Sequence, residues 1–136
     1  MRPLLLFAAL LSACSSEQSA PPDVPNGVFV GAGRDALCIS GSATALRAGV
    51  IAYGEGGLNC SASGRLDAAN GALALVPSGE DECRFPLAFA GGTVTIGAVP
   101  AACAYYCAPG ATLAGKSFRQ SPNAEPVTDL AGESLC

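Results

Sequence analysis

From Asn26 onward the chain is a series of short apolar or alternating runs separated by turn residues. The clearest run is Cys83, Phe85, Leu87 and Phe89 alternating with Arg84, Pro86, Ala88 and Ala90. After Gly91-Gly92, Val94 and Ile96 alternate with Thr93 and Thr95. A period of two puts alternate side chains on opposite faces of a strand, so this unit predicts a hairpin with one apolar face. Pro86 lacks a donor for a ladder, which predicts an edge strand or a bulge there. Residues 28–30, 36–39, 49–53 and 58–62 read as further strands, and Arg65-Leu66 and residues 73–76 flank Asn70-Gly71, a tight-turn dipeptide. Residues 43–52 have a weak helical alternative, which Gly49 interrupts, and a short helix is predicted from Thr112 through Gly115-Lys116. Turn signals recur about every 8–12 residues, a spacing that predicts a mainly β domain, a small antiparallel sandwich or barrel with at most one short helix.

The first residues follow another pattern. Arg2 precedes an apolar run over residues 4–11, far short of the roughly 20 residues a spanning helix needs. A charged start and a short apolar stretch ending in small residues fit a secretory signal. Leu11-Ser12-Ala13-Cys14 resembles the lipobox of bacterial lipoproteins. That resemblance implies cleavage before Cys14, acyl chains on Cys14 and attachment to a membrane through them. Ser15 rather than Asp at the next position implies the periplasmic face of the outer membrane as destination. The expected organisation is a signal peptide over 1–13, a lipidated Cys14 with a polar, Pro-rich tether to residue 25, a β domain over 26–119, and a C-terminal coil over 120–136 tied back by Cys136.

Composition narrows the chemistry. The 136 residues carry 7 Lys+Arg against 11 Asp+Glu, a net charge of −4, which disfavours nucleic acid as a partner. There is no His, so histidine catalysis and His-ligated zinc or haem are excluded. Gly-x-Ser-x-Gly is absent as well, and these gaps point away from an enzyme and from any cofactor. Gly31-Ala32-Gly33-Arg34-Asp35-Ala36 after an apolar run imitates a dinucleotide loop, but the helix such a loop requires does not follow, so it reads as a Gly-rich turn. Glu80-Asp81-Glu82 reads as a solvated hairpin turn, and the glycosylation-like Asn59-Cys60-Ser61 as a chance match.

Beyond Cys14 lie Cys38, Cys60, Cys83, Cys103, Cys107 and Cys136. An even count in an exported chain predicts disulfides, which would reinforce a core thin in large side chains. Six thiols allow 15 pairings. The simplest set joins Cys38 to Cys60, Cys83 to Cys103 across the base of the hairpin, and Cys107 to Cys136. Metal or redox use of the thiols is the alternative, although Cys103 and Cys107 do not have Cys-x-x-Cys spacing.

The segment from Cys103 to Lys116 holds Tyr105, Tyr106, Pro109-Gly110 and the only lysine. Tyr105, Tyr106 and Lys116 are the predicted recognition residues, because Tyr offers a rigid face with a polar tip. Cys-x-Tyr-Tyr-Cys leading into Pro-Gly resembles small Cys-containing lipoproteins of proteobacteria over residues 80–120, a likeness that implies no particular activity. The expected function is a non-enzymatic, lipid-anchored envelope protein that binds another envelope protein. The alternatives are a lysozyme inhibitor, since inhibitors carried on bacterial lipoproteins are similar in being small Cys-bearing β-barrels, and a thiolate metal carrier.

Overall fold

The computed structural model describes residues 24–69, 71–79 and 82–136. The expected signal peptide, the expected lipidation site Cys14, most of the expected tether, Asn70 and Glu80-Asp81 lie outside the described residues. Eight strands follow one another: β1 (Gly27–Val30), β2 (Ala36–Ser42), β3 (Ala45–Tyr53), β4 (Asn59–Ala69), β5 (Ala72–Pro77), β6 (Phe85–Ala90), β7 (Thr93–Ile96) and β8 (Ser117–Gln120). Each pairs antiparallel with its predecessor, and β8 pairs back with β1 through Phe29↔Gln120 and Val30↔Arg119. The fold is therefore mainly β, a closed up-and-down barrel. Among the described residues there is no α-helix, only 3-10 turns at Glu55–Gly57 and Ala101–Tyr106.

Alternation accounts for the inside. Leu37 and Ile39 of β2, Ala48, Val50 and Ala52 of β3, Leu73 and Leu75 of β5, Phe85 and Leu87 of β6, and Val94 and Ile96 of β7 all enter one buried cluster with Phe29 and Phe118. An eight-stranded barrel is just wide enough for side chains to fill, and alternating small with large residues fits its taper. The alanines of β3 and Ala62 of β4 thus leave room for three phenylalanines that are essentially inaccessible to solvent. The barrel interior is thus occupied by a cluster of buried side chains.

Several expectations need correction. The strand expected at 49–53 starts earlier, at Ala45, as β3, so the weak helical alternative over 43–52 is not taken; the alternation of β3 meets β2 through Leu37↔Val50 and Ile39↔Ala48. The separate runs at 58–62 and 65–66 are one long strand, β4, which pairs with β3 up to Arg65 and with β5 from Gly64 onward. At Gly64 the neighbouring strand comes so close that an added Cβ would meet the Val76 carbonyl and lie 2.8 Å from the Pro77 Cα. Residues 112–116 form a turn, and β8 follows it unforeseen. Pro86 is not at an edge, since the closed barrel has none. Its carbonyl accepts from Gly97 N at 2.9 Å, just beyond the end of β7, so its missing N–H is lost where the ladder stops.

The C-terminal segment forms a second layer. Ser121 N donates to the Val28 carbonyl (2.8 Å), after which the chain crosses the outer face of β1–β3. Val127 and Leu135 are buried there against Cys38 and Ile51. The strap doubles back on itself, with Leu135 N donating to the Val127 carbonyl (3.0 Å) and Asp129 Oδ1 accepting from Ala131 N and Glu133 N, both at 2.9 Å. Cys136 closes it through a disulfide to Cys38.

Candidate functional site

Residues 97–116, which join β7 to β8, cover one end of the barrel. Leu113 and Cys103 enter the main core from this cap, with Val99, Tyr106, Cys107 and Ala111 packed against it. Cys103 N donates to the Pro100 carbonyl (3.0 Å) and Cys107 N to that of Ala104 (3.3 Å), closing the two ends of the 3-10 turn. Disulfides then fix it on both sides. Cys83–Cys103 joins it to the residues preceding β6, and Cys60–Cys107 joins it to the start of β4, where Ala108 N also donates to the Asn59 carbonyl (3.0 Å).

Between those two bridges the tyrosines take different roles. The Tyr106 ring meets Phe85 edge to face at 6.0 Å and so anchors the turn on the barrel floor. The Tyr105 ring stands on Tyr106 at 5.2 Å and 88°, and it is 89% exposed. Lys116 is turned elsewhere: its Nζ lies 3.6 Å from Asp35 Oδ2. The predicted trio is therefore a Tyr105–Tyr106 pair plus a lysine committed to a different contact.

Of the predicted disulfides, only Cys83–Cys103 forms. Cys38 lies on the outer face of β2, opposite Gly49 in register, and the strap brings Cys136 to it. Cys60 lies on β4 in the main core, two strands away, and only the cap reaches it. With all six cysteines paired, the metal and thiol-redox readings have no free thiolate among the described residues.

The dinucleotide-like stretch is a tight turn between β1 and β2, closed by Gly31 N to the Asp35 carbonyl (2.8 Å) and Asp35 N to that of Ala32 (3.0 Å). Its charged residues organise the neighbourhood. Asp35 is 5% exposed, and its Oδ1 accepts from Tyr53 N at 2.8 Å. The Arg34 guanidinium lies 4.1 Å above the Tyr53 ring. Beside it, between β1–β3 and the strap, runs an open cleft of about 440 Å³ whose walls include Val28, Val30, Ile51, Tyr53 and Pro126. In the sequence the glycines of this turn stand out, whereas Arg34, Asp35 and Tyr53 do not stand out as a group. A charged pair directly before a strand was the available signal.

Neither a protein-family model, nor a curated protein, nor a solved structure matches this chain.

Proposed function

We propose that this protein is a non-enzymatic, lipid-anchored component of the bacterial envelope that binds another envelope protein through the cap centred on Tyr105. The observation that carries the reading is Tyr105 itself, a large aromatic side chain left 89% exposed on a turn clamped between two disulfides. Binding normally costs the ordering of loops and side chains, and a turn already fixed avoids most of that cost. Exposed aromatic residues in such settings are the usual anchors of protein interfaces. The side chains packed inside the barrel, Phe29, Phe85 and Phe118 among them, support the same reading, because they leave recognition to surface groups such as Tyr105.

Anchoring through Cys14 is supported by the lipobox-like residues and by the disulfides, which belong to oxidising compartments. Val24 packs against the main core, and Pro25 shares a second cleft with Phe89, Gly91, Gly92 and Gln120, at the barrel end opposite the cap. A tether entering there would hold the barrel with Tyr105 facing away from the lipid.

A photocrosslinking amino acid at position 105, compared with one at Thr44 on the opposite end, tests the binding surface in living cells. A discrete adduct from 105 alone supports it, and equal or absent adducts at both positions refute it. Palmitate labelling of the protein and of its Cys14→Ala variant tests the anchor, with label expected in the first only. A second reading, lysozyme inhibition, is favoured by the closed, disulfide-bearing barrel, the shape that the resemblance implies. Undiminished lysozyme activity in the presence of the purified protein would remove it.

A further inference from the structure

The cleft beside the strap has features the cap does not share. Its floor is the outer face of β1–β3, where Val28, Val30 and Ala36 present apolar surface next to Tyr53, above the buried Ile51. Arg34 stands at its lip, aligned by the Tyr53 ring, and is in no ion pair among the described residues. The neighbouring Asp35 does not neutralise it, because that carboxylate already takes the Tyr53 N–H and the Lys116 ammonium. A guanidinium stacked on an aromatic face keeps its outer N–H edge free, and that edge matches a carboxylate with two parallel hydrogen bonds. Across the cleft the strap contributes Pro126, Val127 and the exposed carboxylate of Glu125.

We propose that this cleft binds the C-terminal end of a short apolar peptide, with Arg34 holding the free carboxylate, Val30 and Ala36 meeting the last side chains, and Glu125 accepting from a backbone N–H of the ligand. A volume of about 440 Å³ lies in the range of small-ligand sites and suits a few residues. A fatty acid offers the same carboxylate, but a long acyl chain needs a tunnel, and the barrel behind this wall is filled by Phe29, Leu37 and Val50. A fatty acid also has no donor for Glu125. The site is independent of the cap and of any lipid anchor.

The test is titration of the oxidised protein with acetyl-Ala-Val-Leu bearing a free carboxylate, with its C-terminal amide, and with decanoate, followed by calorimetry and by amide chemical shifts. The free acid is expected to bind saturably, shifting the amides of Val30, Tyr53 and Thr128, and the amide to bind at least ten-fold more weakly. Arg34→Gln, an exposed turn position whose fold the same spectra report, is expected to bring the acid down to the level of the amide. Equal binding of acid and amide, an unchanged Arg34→Gln variant, shifts confined to other surfaces, or no binding at millimolar peptide would each overturn the proposal. Decanoate displacing the peptide at lower concentration would overturn the peptide assignment and leave a fatty-acid site in its place.

Discussion

Leu135 of the strap lies directly over Gly49 of β3. A Cβ on Gly49 would strike the Leu135 carbonyl and come within 2.6 Å of its Cβ, so the absence of a side chain makes the seat in which the strap rests. Gly49→Ala is therefore expected to lift the strap and cost about 1–3 kcal/mol, the usual range for overpacking a filled site. Thermal unfolding and protease cleavage between Ser121 and Cys136 check it, with faster cleavage expected while Cys38–Cys136 remains intact.

The disulfides divide into one that holds the strap and two that hold the cap. Replacing Cys38 and Cys136 together by Ser is expected to cost about 3–5 kcal/mol, because the bridge closes a loop spanning a sequence separation of 98. Far-UV circular dichroism should still report the barrel, while the strap becomes the first site of proteolysis. The Cys83–Cys103 bridge closes a shorter loop, with a separation of 20, and replacing both cysteines should cost about 3 kcal/mol. This second variant should also lose the Tyr105 crosslink, which the first should keep.

The Asp35 carboxylate joins one backbone N–H, that of Tyr53, to one charge, that of Lys116. Asp35→Ala leaves the Tyr53 N–H without its acceptor and the Lys116 ammonium without its partner, an expected loss of about 1–3 kcal/mol in denaturant unfolding. Asp35→Asn keeps an acceptor for Tyr53 and gives up only the ion pair, whose lysine is one-third exposed, so the expected loss falls to about 1 kcal/mol or less. Equal losses from the two variants would show that the ion pair, not the hydrogen bond, holds this turn.

The adjacent tyrosines should separate stability from recognition. Tyr105→Ala is expected to leave stability within about 0.5 kcal/mol, as for most exposed positions, while removing partner binding. Tyr106→Ala removes the edge-to-face contact with Phe85 and part of the cap's packing, and should cost at least about 1 kcal/mol. Unfolding midpoints alongside the yield from a photocrosslinker at the exposed neighbour Ala104 distinguish the two.

What the sequence made legible follows from how local each signal is. The hairpin of β6 and β7 was readable because alternation runs through both strands and a glycine pair separates them. β8 offers one apolar residue, Phe118, between Ser117 and Arg119, too little for a period to register, yet its pairing with β1 and β7 closes the barrel. The break between residues 62 and 65 reflects Gly64, which carries no side chain because β5 approaches closely there, not because the strand ends. Cys83 and Cys103 flank one hairpin, so their pairing lies within reach of a local argument. Cys60 and Cys107 meet only after three further strands and the cap have formed, and no spacing reports that. Arg34 and Tyr53 are likewise invisible as a pair until β2 and β3 fold back on each other.

The seam between β1 and β8 also sets an order of events. A polypeptide that leaves the ribosome or an export pore from its amino end displays Val28 and Phe29 long before Phe118 and Arg119 exist outside. Until then one side of β1 has no hydrogen-bonding neighbour, and such an unpaired edge invites pairing with other chains. The barrel can shut only when about nine-tenths of the sequence has emerged, and a cell making this protein quickly would need to shield that waiting edge.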